Sequence, residues 1–336
     1  MVNKINLLDC TLRDGGYVNN WDFGYTNIIG ILKGLENSNI NIIELGFLRD
    51  EEENNNKTSF ASIQSINKLL KKKKNIIYSA MIEAFNPYPI NKIQPCTKSG
   101  IDLIRICVWK RLLKEHLEYC QQVKLKGYPI TIQPSRVEQY SNSEFIELIK
   151  KSNELRPYAV YVVDTWGTQS SEQIKKYLEL ADKYLDKDVK LGYHGHNNKM
   201  QALSCAQTVL NMKLNHELCL DSSIFGMGRG AGNLNTEIIA EYLNESLNTN
   251  FDTLEIFKTF YKYIQPIYKK YPWGYSFYYF LSSITGCNPN FATYFKENNI
   301  DVNLFSNFLN TLTEKEKIVC NPDFINNRLR EIKGKQ

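Results

Sequence analysis

Leu7-Leu8-Asp9-Cys10-Thr11-Leu12-Arg13-Asp14-Gly15-Gly16 is the stretch that decides the fold of this chain. A short apolar run, Ile5–Asp9, gives way to an arginine, a carboxylate and a glycine pair, the composition of a strand that opens into a working loop. Neighbouring strand residues face opposite ways, so Arg13 and Asp14 can converge only once the strand has ended. Gly15-Gly16 makes that turn easy. A second stretch, Gly192-Tyr193-His194-Gly195-His196-Asn197-Asn198, answers the first. Histidines at i and i+2 on an extended segment project the same way, and Asp14 can supply a third donor. The two segments are expected to meet around a divalent metal.

Working outward, short apolar runs alternate with segments of helical period, the pattern of βα units and a parallel sheet. The runs are Ile5–Asp9, Ile42–Phe47, Ile76–Ile82, Leu103–Val108, Ile130–Gln133, Ala159–Val163, Val189–His194 and Leu218–Ile224. Helical stretches are expected around 26–37, 60–70, 110–126, 143–154, 171–184, 199–211 and 234–247, with one more, poorly written, between Phe85 and Gly100. Eight strands and eight helices in α/β order predict a (β/α)8 TIM barrel with a C-terminal helical extension. An open doubly wound sheet is the alternative and would normally need fewer strands. The barrel is expected over 1–250. Residues 251–336 lack strand alternation and are expected to form a small helical domain packed on it, beginning with one amphipathic helix, Phe251–Lys270.

Composition narrows the class of function. With 336 residues, 43% of them hydrophobic, the chain can bury a barrel-sized core. Its net charge of +5 is scattered, without a basic stripe interleaved with aromatics, which argues against nucleic acid. Lys71–Lys74 reads as a solvated helix end, where cations suit the helix dipole. Eight cysteines without a C-x-x-C pair read as reduced thiols, and no run suits a signal peptide or a membrane span. A soluble protein of the cytoplasm is expected.

A TIM barrel keeps its active site at the C-terminal ends of its strands. There the sequence places Asp9, Arg13 and Asp14, then Glu44, Arg105, Gln133, Arg136, Asp164, Thr165, His194, His196, Arg229 and Asn233. One carboxylate, two imidazoles and an amide oxygen form a donor set without thiolate, suited to Mn²⁺, Mg²⁺, Co²⁺ or Zn²⁺. Gly226-Met227-Gly228-Arg229-Gly230-Ala231 fits the dinucleotide fingerprint in form only, since no further βαβ unit follows it. Its glycines are expected to curl the backbone so that Asn233 enters the site, with phosphate binding as the lesser alternative.

Three motifs together carry a resemblance. Leu8–Gly15, His194-Gly195-His196-Asn197-Asn198 and Gly226–Asn233 are similar, in order and spacing, to the signatures of the metal-dependent TIM-barrel lyases and synthases. That superfamily, the hydroxymethylglutaryl-CoA lyase-like enzymes, includes isopropylmalate synthase, homocitrate synthase and 4-hydroxy-2-oxovalerate aldolase. Gly-Arg-Gly-Ala-Gly-Asn at 228–233 most resembles the last. The resemblance implies a class II-type aldolase working through the enolate of pyruvate or a related 2-oxo acid, with an aldehyde as the second partner. It implies Asp14, His194, His196 and Asn233 as metal ligands, with Mn²⁺ as first choice, and Arg13, steadied by Glu44, as the enolate-stabilising group. Thr165, Arg105, Gln133 and Tyr275 are the implied substrate contacts. The aldolase carries a catalytic histidine three residues after its metal-binding aspartate, where this chain has Tyr17. Tyr17 is therefore the first candidate for proton carrier. The rival expectations are an acyl-CoA-dependent Claisen-type synthase or lyase, and a subunit of little activity that binds a partner. Homo-oligomerisation, or a dehydrogenase partner held by the C-terminal helices, is compatible with each.

Overall fold

In the computed structural model, which describes residues 4–83 and 85–333, the apolar runs become parallel strands. They are β1 (Ile5–Asp9), β2 (Ile42–Leu48), β3 (Ser59–Phe60), β4 (Ile77–Ile82), β5 (Leu103–Val108), β6 (Ile130–Pro134), β7 (Ala159–Asp164), β8 (Lys190–Gly195) and β9 (Leu218–Ser222). All except β3 pair side by side in chain order, and β1 pairs with both β2 and β9, which closes the sheet into a barrel. The two-residue β3 lies against the outer end of β2. The protein is thus a (β/α)8 TIM barrel followed by further helices. Buried on both faces, such strands read as near-continuous apolar runs, which is why their positions were visible in sequence.

The barrel helices are α1 (Tyr25–Asn37), α2 (Ile63–Asn67), α3 (Leu113–Leu125), α4 (Asn142–Leu155), α5 (Ser171–Tyr184), α6 (Ala202–Leu210) and α7 (Thr236–Leu247). Ser141 with Glu144, and Ser170 with Gln173, form capping boxes that start α4 and α5. The helix expected between Phe85 and Gly100 is absent among the described residues. Pro87, Pro89 and Pro95 remove backbone donors there, and two short 3-10 turns, Ile90–Lys92 and Cys96–Lys98, take its place.

The single helix expected over Phe251–Lys270 is interrupted as well. It runs as α8 (Thr253–Thr259), a π-helical turn Phe260–Ile264, and α9 (Gln265–Lys270). Pro266 at the start of α9 cannot donate to the turn before it, and the π-turn absorbs that lost bond. α8 packs on α1 and α7, and Phe251, Ile256, Ile264 and Trp273 join the main core between sheet and helices. A separate core follows in α10 (Phe277–Ile284), α11 (Pro289–Glu297), α12 (Val302–Asn310) and α13 (Pro322–Lys333), built on Phe291, Phe295, Phe305 and Phe308. The tail helices are fastened to the C-terminal rim of the barrel: Ala231 enters their core, Trp273 Nε1 donates to the Phe225 carbonyl, and Ser283 Oγ donates to the Gly167 carbonyl. No described helix is long and apolar enough to cross a membrane.

Candidate metal and active site

β1 ends at Asp9, and the chain turns through Cys10–Gly15 with the amides of Arg13 and Asp14 donating to the Cys10 carbonyl. This turn aims both side chains inward, and both are buried. β8 supplies His194, and His196 follows directly after the end of that strand. Ligand atoms of Asp14, His194 and His196 all lie within 4.8 Å of one another.

Hydrogen bonds fix both imidazoles. His194 Nδ1 lies 3.0 Å from Asp221 Oδ2, and His196 Nδ1 lies 3.0 Å from the Asp164 carbonyl. A carbonyl can only accept, so His196 Nδ1 is the donor there, and its Nε2 is turned toward Asp14. Burial lowers the His194 pKa below its ordinary value against the opposing pull of Asp221, so the ring is neutral at pH 7 and Nδ1 donates to the carboxylate. Burial alone would raise the Asp14 carboxyl, but Arg13, His196 and His194 outweigh it and hold it well below the usual carboxylate range. An ionised Asp14 Oδ2 therefore faces His196 Nε2 at 3.4 Å, and that buried nitrogen has no hydrogen-bond partner. A carboxylate and two imidazoles that converge in this way form a donor set that a divalent cation can bridge.

Asn233 reaches the same point through an isolated bridge that pairs its backbone with His196. Its Nδ2 donates to Asp14 Oδ2 at 2.9 Å, while its buried Oδ1 has no partner. Turning the amide over would present that oxygen as a further donor atom to a metal. The residues present therefore fit a divalent ion with mixed oxygen and nitrogen ligands.

Beneath the donors runs a chain of buried charge. Arg13 binds Asp14 and donates from Nε to Glu44 Oε2 at 2.7 Å. Arg105 lies 2.9 Å from Glu44 Oε2 on one side and meets Asp221 on the other. Asp221 then holds His194. Both ends of the donor set are tied into one network, in which three carboxylates face two guanidinium groups. One negative charge remains over, and a divalent cation would more than cancel it.

Above the donors opens a cavity of about 170 Å³. Arg13, Asp14, Tyr17, Gln133, Thr165, His194, His196 and Arg229 all line it. Thr165 Oγ1 accepts from the Arg136 amide, and Gln133 Nε2 donates to Thr131 Oγ1. Tyr17 is 41% exposed at the rim, edge-on to Trp21, with the Arg229 guanidinium 5.6 Å from its ring centre. Other expected residues lie elsewhere. Arg105 is fully buried in the charge network, where it holds Glu44 and Asp221, and it does not line the cavity. Glu44 likewise serves Arg13 and Arg105 from below. Tyr275 is 48% exposed and packs against Phe277 and Phe280, away from the cavity. Arg136 stacks on Trp166, and the Asp164 carboxylate accepts from the amides of Thr168 and Gln169. Asp9 accepts from Thr236 and the Thr11 amide, and burial raises its pKa to about 6.

Sequence reasoning missed Asp221, and it missed the side wall of Phe47, Met81, Glu83 and Trp109. The only signal for Asp221 was a carboxylate embedded in the apolar run Leu218–Ser222.

Comparison with known proteins agrees with this architecture. The family model described as HMGL-like matches residues 4–260. The chain is 26% identical over 239 residues to oxaloacetate decarboxylase from Mycobacterium tuberculosis, covering 70% of this chain and 69% of that one. It is 20% identical over 260 residues to 4-hydroxy-2-oxovalerate aldolase from Pseudoalteromonas translucida, covering 75% and 74%. In structure it superposes on the N-terminal domain of a Bacteroides vulgatus protein described as a candidate aldolase, with a TM-score of 0.75 and 23% identity over 89% of this chain and 98% of that one. With the closed eight-stranded barrel and a family match over most of its length, this chain belongs to the HMGL-like family of TIM-barrel lyases.

Proposed function

We propose that the protein is a divalent-metal-dependent carbon–carbon lyase of aldolase type, which makes or cleaves a bond at the enolate carbon of pyruvate or a related 2-oxo acid. One observation carries the reading: the ligand atoms of Asp14, His194 and His196 converge within 4.8 Å of one another at a cavity that also presents Arg13. Asp14, His194, His196 and a turned Asn233 would hold the ion, Mn²⁺ by first choice, with Mg²⁺, Co²⁺ and Zn²⁺ accepted by the same donors. When bound, such an ion polarises a carbonyl as a Lewis acid.

The chain's own residues supply the rest. Arg13, clamped by Glu44 and Asp14, is a fixed positive charge where the enolate oxygen develops. Thr165 accepts a hydrogen bond from below, which leaves its own proton for a substrate carboxylate, and Gln133 faces the same space. Partial burial at the rim, opposed by Arg229, raises the Tyr17 pKa above its ordinary value. Tyr17 is therefore a phenol at pH 7, able to give a proton to an alkoxide as general acid. The second partner in this reading is an aldehyde, and assembly through the tail helices, with a second copy or a dehydrogenase, belongs to the same proposal.

A second reading, decarboxylation of a 2-oxo acid that bears a carboxylate on the neighbouring carbon, draws on the Mycobacterium tuberculosis relative and on Tyr17. Loss of carbon dioxide yields the same enolate with no hydroxyl to deprotonate, so it asks nothing of a base at position 17. The deciding experiment supplies Mn²⁺ with either pyruvate and a panel of aldehydes or oxaloacetate alone, followed by mass spectrometry and carbon dioxide release. New hydroxy-oxo acids support the aldolase, and enzyme-dependent gas release without condensation supports the decarboxylase. Neither product, from protein with stoichiometric metal, rejects both.

A further inference from the structure

A second chamber, of about 360 Å³, lies between the glycine loop at 226–232 and the tail helices. Tyr17 and Arg229 line this chamber and also the reaction cavity, so the two spaces share a wall. Three cations, Arg229, Lys270 and Lys296, face the chamber against one carboxylate, Glu297. Among the described residues, none of the three has a carboxylate within 4.0 Å.

Their settings hold charge in place without cancelling it. The Arg229 guanidinium donates to the amide oxygens of Asn288 and Asn290 at 3.1 and 3.0 Å, and its buried Nε has no partner. Lys296 Nζ touches only the Pro272 carbonyl, at 3.5 Å, beside the Tyr279 ring. Burial lowers the Lys296 pKa, against the opposing pull of Glu297. Gly228 and Gly230 flank Arg229, and neither admits a side chain, since a Cβ on Gly228 would come within 2.3 Å of Asn233 and one on Gly230 within 2.6 Å of Asn198. Both glycines line the chamber, as does Thr293.

We propose that this chamber binds the phosphate of a phosphorylated electrophile, whose carbonyl end reaches past Tyr17 and Arg229 into the reaction cavity. An excess of two positive charges, one of them a fixed guanidinium, matches a phosphate dianion better than a single carboxylate. The glycine motif that found no use in dinucleotide binding becomes one side of this seat. The electrophile's role rests on the aldolase reading above; the seat itself does not.

The test therefore begins without turnover. Inorganic phosphate is titrated calorimetrically into the full-length protein in chelator, alongside the Lys296→Met and Lys270→Met variants. Lys270 is exposed and Lys296 half-buried, so neither change opens the core. One phosphate per chain is expected, weakened roughly tenfold by the paired substitutions. No binding, or binding indifferent to both lysines, overturns the proposal. In a second arm, Mn²⁺ and pyruvate are supplied with glyceraldehyde 3-phosphate or glyceraldehyde. The phosphorylated aldehyde is expected to have the higher kcat/KM, and the lysine variants to raise its KM alone. Lysine-dependent phosphate binding without condensation of either aldehyde supports the chamber and rejects the aldolase reading. Equal turnover of both aldehydes, insensitive to the lysines, rejects the chamber and leaves the reaction standing.

Discussion

The lower and upper halves of the barrel interior come from the same strands and have opposite chemistry. Below, Leu8, Ile42, Leu103, Ala159, Tyr161 and Cys219 form an apolar plug. Two residues further along three of those strands, on the same face, stand Glu44, Arg105 and Asp221. The Arg105 guanidinium lies 4.8 Å above the Tyr161 ring, where one layer meets the other. The plug gains from burial alone, whereas each member of the charged layer depends on its neighbours being present. The lower half should therefore tolerate loss of atoms with its function intact, and the upper half should fail by geometry and charge.

The harshest way to test that contrast is His194→Ala, which removes a donor that the other two cannot replace. Loss of stoichiometric metal and of all measurable turnover is expected, by metal analysis and assay, with the fold retained by circular dichroism. Full metal content in this variant would end the ligand assignment. Next, Arg105→Met strands Glu44 and Asp221 without their shared cation. Breaking such a buried pair costs about 3–5 kcal/mol, measurable by denaturant unfolding. Leu103→Ala, one layer below, costs about 2–5 kcal/mol through its cavity but should leave metal affinity unchanged. If both variants lose metal alike, the two layers are not separate.

Asp9 sharpens the contrast through pH. Its pKa, raised by burial to about 6, means that the folded state holds a proton the unfolded chain has already released between about pH 4 and pH 6. Its contribution to stability therefore falls as pH rises through that window and is flat above it. Asp9→Asn should remove up to roughly 3 kcal/mol of that slope, as the difference between the two proteins' unfolding curves from pH 4 to pH 8. An unaltered slope would mean that Asp9 is ionised throughout. The gentlest change is Asp221→Asn, which keeps the shape but weakens the grip on His194 Nδ1. Metal affinity should drop about 10–100-fold, by competition with a chelating dye, while unfolding moves less than in Arg105→Met.

The strands were legible because burial on both faces writes itself as unbroken apolar runs, and the donors because two short motifs each hold them within a few residues. What stayed hidden depended on relations between strands. Glu44, Arg105 and Asp221 lie on three strands and become partners only when register sets them at one height, which no local pattern encodes. Arg105 was expected at the ligand from its place near a strand end and from the resemblance, but its two carboxylates hold it below the cavity. Tyr275 was placed by its neighbours Gly274 and Ser276, and a tail loop's direction is set by docking on the rim. The segment after β4 failed as a helix for a reason the sequence did contain, in its three prolines.

Asp14 and Asn233 touch across 219 positions of sequence, and β1 finds its second partner only in β9. Long-range pairing of this kind is the last and slowest contact a chain makes. A copy halted on the ribosome before residue 218 has the opening aspartate and both imidazoles and still lacks the strand that closes the barrel between them. Such a fragment has no diluted reactivity to release into the cell. Completion of the cylinder works as a lock on the chemistry, set by the order of synthesis.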